Sequence, residues 1–259
     1  MRAEDGVKDG SSLWRRAGLH VAFVAVLLGF GELAAERRWL DPTFFGQPSG
    51  VAKFLWLNAT SAKLWTDLGW TMAGVVSSFA LGSTAAFAVG LAFVRWPSLE
   101  RFAEPYFSAL NVMPRIALAP LFILWFGLGL GSKIAVGFSL TFFIVLSATV
   151  AGIRGVSPDH VTLCRTLGAR ATTTFVQVTL PGAVPVIFSG LRLGLIYALL
   201  GVIGAEIIAS EKGLGQWLAY LSSTFDVNGV MALLLVLALL GVAIVRLMTW
   251  LEKRLLHWQ

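Results

Sequence analysis

This chain is poor in charge. Lys, Arg, Asp and Glu together supply 13% of its 259 residues, about half the share of an ordinary soluble domain. Cysteine occurs once, at Cys164, which excludes an internal disulfide and leaves the redox compartment open. The three histidines, His20, His160 and His257, lie far apart and show no metal-ligand spacing. No G-x4-G-K-[ST] phosphate cradle occurs, and no G-x-S-x-G, H-E-x-x-H or C-x-x-C. The chain therefore offers no catalytic residue, no metal site and no ATP site of its own. The net charge of +6 is scattered rather than clustered, so it does not mark a nucleic-acid surface.

What fills the space is apolar: 57% of residues are hydrophobic, more than a water-soluble fold can hide. A spanning helix needs about 20 mostly apolar residues. Six stretches qualify, at approximately 18–35, 67–94, 106–127, 132–153, 183–209 and 229–250. Their length and their want of period-2 alternation predict an all-α membrane protein, a bundle of about six transmembrane helices. Pro114 and Pro120 break the third stretch. The first is read as a retained span behind a cytoplasmic tail over 1–17, rather than a cleaved signal, because Gly-Glu-Leu-Ala-Ala-Glu-Arg-Arg makes an indifferent cleavage site.

Short-loop charge sets the orientation. With both termini inside, the cytoplasmic pieces hold Arg2, Lys8, Arg15, Arg16, Arg95, Arg101, Arg154, Arg165, Arg170, Lys253 and Arg254. The outer pieces hold Arg37, Arg38, Lys53, Lys63, Lys133 and Lys212, eleven against six. The segment 36–66 reads equally as an amphipathic surface helix or an ordered loop. In the second span Gly74, Ser78, Gly82, Ala86 and Gly90 recur at every fourth position. Small residues at that spacing let helices approach closely in lipid. Gly190, Gly194 and Ala198 repeat the device in the fifth span.

The polar loop 155–181 carries helix punctuation. Ser157 is an N-cap residue, Pro158 suits the first helical position and Asp159 the positive helix end. Gly168 is a left-handed stop. Residues 158–167 thus read as a helix of about ten residues, roughly 15 Å long. Val161 and Cys164 share one side, Leu163 and Leu167 another. So short a helix is unstable alone in water, and must pack on its own bundle or on a separate protein. Residues 170–179 read as a second short helix that Pro181 ends.

Charges inside spans face a cavity or a partner. Glu32 and Glu206 fall near outer helix ends, where snorkelling or a gate role fits. Arg115 and Arg192 are candidates for attracting an anion, or for structural pairing. With Pro114 and Glu206 they form the candidate solute pathway.

At this point the residues resemble a known family. The permease subunits of ATP-driven bacterial importers carry E-A-A-x3-G-x9-I-x-L-P. Gly168 takes the glycine place, Val178 the isoleucine place and Leu180-Pro181 the Leu-Pro place, while Thr162-Leu163-Cys164 replaces Glu-Ala-Ala. The run Ala119-Pro-Leu-Phe-Ile-Leu-Trp-Phe-Gly-Leu-Gly-Leu-Gly-Ser-Lys133, and Glu206 followed by Gly213-Leu-Gly215, are similar to permeases for sulfonates, nitrate and taurine.

The resemblance covers roughly 65–250. It implies a type I importer permease fold in a bacterial inner membrane, with a second copy of the chain completing the pathway. Two cytoplasmic ATP-binding subunits would hold ATP and Mg, and a binding protein outside would deliver a small, anionic, sulfonate-like solute. It implies that 158–168 is a coupling helix, meeting the ATPase through Asp159, Thr162, Leu163, Arg165, Thr166, Leu167, Gly168 and Ala169. The rival is an ion-gradient-driven secondary transporter without an ATPase. Such folds show internal repeats, and none is visible here.

Overall fold

A computed structural model of the chain describes residues 10–37, 39 and 41–255, with side chains of 10–17, 42 and 43 left aside. Arg2, Lys8, Arg38, His257 and Trp258 lie outside the described residues, as does the start of the expected tail. Twelve α-helices and two tighter or wider turns make up the described residues, with no strand among them. Five helices are long and apolar enough to cross a membrane, or six if one bent pair counts as a span.

Two compact units result. The first comprises residues up to Thr60 with Leu221–Ala232. Here α1 (Gly10–Glu36) begins inside the stretch expected as a tail, because no proline interrupts it. The segment read as either loop or surface helix is helical: α2 spans Pro42–Phe45 and α3 spans Pro48–Asn58. Glu32 of α1 accepts hydrogen bonds from the Ser49 backbone N–H and hydroxyl, at 3.0 and 2.6 Å. That carboxylate thus serves the positive first turn of α3.

The second unit comprises Ser61–Tyr220 with Leu233 onward. Its centre is three long helices: α4 (Ala62–Arg95), α7 (Leu130–Arg154) and α10 (Leu180–Ile208). Gly82 of α4 packs on Thr141 and Gly90 on Thr149, so α4 and α7 run parallel. Gly190 of α10 meets Ala148 and Gly201 meets Gly137, so α10 runs antiparallel to α7. Gly74, Ser78, Gly82, Ala86 and Gly90 are all buried. A Cβ at Gly82 would stand 2.9 Å from Thr141, one at Gly90 2.8 Å from Thr149 and one at Gly190 2.1 Å from Ala148. Each larger residue would push two helices apart. Where lipid removes the hydrophobic drive between helices, this contact distance is the cohesion. The C-terminal helix α12 (Val227–Leu255) joins through Ile244, which packs with Val75, Ala198 and Val202.

The third expected span is a bent pair. Helix α5 (Pro97–Val112) and the segment Arg115–Phe126, a 3-10 turn followed by α6 (Ala119–Phe126), meet at 86°. The break lies at Met113, which is extended because the following Pro114 disfavours helix there. Pro120 does not break anything; it occupies the first turn of α6, where its missing N–H costs no bond.

Pro181 likewise does not end a helix. Helix α9 (Ala171–Thr174) passes through a π-turn at Phe175–Thr179 directly into α10. The wider turn ahead of Pro181 accommodates its ring and missing N–H, where a regular ladder would clash. Helix α11 (Leu214–Ser223) had no counterpart in the sequence reading.

Candidate functional site

Two features occupy opposite ends of the α7–α10 pair, and a cavity lies along α7. The first is α8 (Pro158–Thr166), between the C-terminus of α7 and the start of α9. It is one residue shorter than its caps suggested. The Ser157 hydroxyl accepts from the Asp159 N–H at 3.3 Å, and Pro158 takes the first turn. At the other end Gly168 adopts φ +79. Its N–H donates to the Arg165 carbonyl at 3.0 Å, and the Ala169 N–H to the Cys164 carbonyl at 2.9 Å. That pair of bonds is the Schellman motif, which closes a helix by satisfying its last carbonyls. Thr166 adds a hydroxyl bond to the Leu163 carbonyl at 2.7 Å.

The helix is therefore stopped firmly at both ends yet has no buried residue. Val161, Cys164 and Ala169 are half-buried, facing the bundle; Thr162, Arg165 and Thr166 are exposed. Leu163 is 58% exposed and Leu167 78%. Two leucines thus stay largely uncovered by the described residues.

The second feature is a buried polar knot at the far end. Lys133, in the first turn of α7, donates to Glu206 of α10 at 3.0 Å. Both are almost fully buried, at 2% and 1% exposure. The Thr71 hydroxyl of α4 lies 2.9 and 3.0 Å from the two Glu206 oxygens and donates to that carboxylate. The same hydroxyl accepts the Leu214 N–H at 2.9 Å. The Gly215 N–H donates to Glu206 at 2.9 Å, and the Gly213 N–H to Asp67 at 3.0 Å. Lys133 also donates to the Lys212 carbonyl. Every charge in the knot is paired and hydrogen-bonded, the condition under which burying charge is tolerated.

This arrangement explains the Glu206 and Gly213-Leu-Gly215 pattern. Gly213 sits at φ +118, and a Cβ there would fall 2.0 Å from the Glu206 carboxylate. A Cβ at Gly215 would fall 2.7 Å from the Glu206 Cβ. The loop can close over the carboxylate only without side chains. Lys133, counted from sequence as an outer-loop charge, is instead the partner of Glu206.

The cavity, about 410 Å³, lies between α5 and α7. Glu100, Glu104, Ser108 and Asn111 line its α5 wall, three and four residues apart and hence on one helix face. Phe143 and Ser147 stand on the α7 wall. Glu100 is paired with Arg154. Arg115, beside the 86° break, donates to Asn111 and lies 4.3 Å over the Phe143 ring.

Of the four candidate pathway residues, Arg115 touches two residues that line this cavity, Asn111 and Phe143, and Pro114 stands at the break beside it. Arg192 is elsewhere, paired with Glu252 of α12, and Glu206 is enclosed in the knot. The polar stripe of α5 was overlooked in the sequence because the third span was read from 106, which left Glu100 and Glu104 outside it; the available signal was their spacing with Ser108 and Asn111.

Comparison with known proteins places this architecture. Residues 78–257 match the profile of the binding-protein-dependent transport system inner membrane component. A riboflavin transport system permease protein of Chloroflexus aurantiacus is 32% identical, over 95% of this chain and 91% of its own length. A taurine transport system permease protein of Escherichia coli is 28% identical, over 95% and 91%. A crystal structure of an amino acid ABC transporter superposes with a TM-score of 0.65 at 16% identity, covering 78% of this chain and 98% of that one; the fold is shared. The chain belongs to the family of binding-protein-dependent transport system inner membrane components, the permease subunits of ABC importers.

Proposed function

We infer that this permease lines the solute path of an ATP-driven importer and takes its power stroke through α8. The observation that carries this reading is the doubly capped helix whose Leu163 and Leu167 stay largely exposed among the described residues. Two copies enclose the path, and each offers α8, from Asp159 to Ala169, to a separate cytoplasmic ATPase that holds the ATP and Mg. A binding protein outside delivers the solute. Both termini and α8 lie on the cytoplasmic side of the inner membrane. The charge count of the short loops supports that orientation.

The solute is small and polar. A sulfonate-like anion is supported by the taurine permease among the relatives and by the Arg115 guanidinium, which lies against the cavity-lining Phe143. A heterocyclic solute is the second reading, supported by the riboflavin permease among the relatives and by Phe143, whose ring lines the same cavity. Calorimetry of the partner binding protein against taurine and against riboflavin separates the two.

The test of the assembly is purification of the tagged chain from its host. Recovery of a stoichiometric ATPase supports the reading. Uptake by the chain reconstituted alone, driven by an ion gradient, overturns it in favour of a secondary transporter.

A further inference from the structure

A further charge in the membrane part serves neither the knot, nor the cavity, nor α8, nor the Arg192–Glu252 pair. Arg246 lies in α12, nine residues before its last residue Leu255, about 13 Å along the axis. It is exposed. It also lines a groove of about 360 Å³ between α10 and α12, whose other walls are apolar: Ile196 and Leu199 on one helix, Ala238, Gly241, Val242 and Val245 on the other.

A guanidinium at that depth needs a counter-charge. The two helices supply none. The single acid of α12 is Glu252, which Arg192 engages. The single acid of α10 is Glu206, which Lys133, Thr71 and Gly215 engage. Arg246 makes no ion pair with any carboxylate among the described residues. Trp250 and Lys253 follow it at four and seven residues, on the same helix face, and Arg254 lies 4.6 Å over the Trp250 ring. The face runs from an apolar trough to a cationic, aromatic rim, the order in which a phospholipid presents its tail and head.

We propose that the α10–α12 groove is a binding site for an anionic phospholipid, one acyl chain lying along Gly241 and the headgroup phosphate meeting Arg246. Gly241 keeps the trough open: a Cβ there would touch only the Leu199 side chain, at 3.9 Å. A larger residue at 241 therefore fills the groove without disturbing the bundle. Lys253 and Arg254 favour a net negative headgroup over a zwitterionic one.

The test uses the full chain in neutral detergent, given equal amounts of phosphatidylglycerol and phosphatidylcholine with identical acyl chains, and counts retained lipid by native mass spectrometry. Wild type retains phosphatidylglycerol in preference. Arg246→Gln lowers that preference about fivefold, the effect of one cation near a headgroup. Gly241→Leu lowers retention of both lipids while the melting temperature of the delipidated protein stays the same. Equal retention of the two lipids by wild type overturns the proposal, as does an unchanged preference in Arg246→Gln. If Gly241→Leu instead abolishes self-association and leaves lipid retention intact, a second copy fills the groove and the proposal falls.

Discussion

Lys133 and Glu206 stand 73 residues apart in sequence and 3.0 Å apart in space, joining the first turn of α7 to the last turns of α10. Neither has solvent to fall back on. Removing one partner leaves the other charge buried and alone, which typically costs about 3–5 kcal/mol. Glu206→Gln and Lys133→Met should each lower the melting temperature sharply. The double change Lys133→Met with Glu206→Leu should cost much less than the sum of the singles. Additive losses would mean that the two side chains act separately.

Gly213 faces the same carboxylate from the loop. Gly213→Ala adds strain at φ +118 and a collision at 2.0 Å, each a cost of about 1–3 kcal/mol. Gly29→Ala in α1 meets nothing within 4 Å and should be neutral or slightly stabilising. Thermal melts of the two variants side by side provide the comparison, and equal melts would mean the loop does not need its glycine.

Leu167 contributes little to the fold, being 78% exposed at the C-cap of α8. Leu167→Asp should leave membrane insertion and melting unchanged. It should also abolish uptake and the recovery of ATPase with the tagged chain. Normal uptake in this variant would remove α8 from the coupling route.

Arg192 is claimed by Glu252 rather than left open to a passing solute. Arg192→Gln should leave the KM for uptake unchanged and lower stability by about 1 kcal/mol or less, since the pair is partly exposed. Glu252→Gln should do the same, and the double variant no more. A raised KM in Arg192→Gln alone would return it to the solute path.

Arg115 is the contrasting case, a cation over Phe143, whose ring lines the cavity. Arg115→Gln should raise the KM for uptake about tenfold, the loss of one charged contact, with insertion unaffected. Unchanged KM would shift the anion-attracting role away from this cavity.

What the sequence disclosed follows the range of the physics involved. The ends of α8 were legible because Ser157, Pro158 and Gly168 act within one turn of where they stand. The small-residue face of α4 was legible because its period is the period of the helix. The break at Pro114 was legible, but not its angle, which depends on what packs on either side. Pro181 misled because a π-turn ending two residues earlier had already made room for it. Lys133 read as a loop charge because its partner lies 73 residues away, and no local rule reaches that far. Helix α11 stayed hidden because what places it is the Glu206 carboxylate gripping the N–H of Gly215. The α5 stripe was available in the spacing of Glu100, Glu104, Ser108 and Asn111, and was cut in two by a span read as starting at 106, where α5 starts at Pro97.

The distance between the two ends of α7 has a mechanical consequence. That helix is 25 residues long, about 37 Å. It is held to α4 at Thr149 as well as at Thr141, and to α10 at Ala148 as well as at Gly137, so the three helices form one stiff block over most of that length. Helix α5 stands across a cavity of about 410 Å³ from it. Under the reading proposed above, a thrust on α8 would tilt the block as a unit, and the wall that yields would be α5.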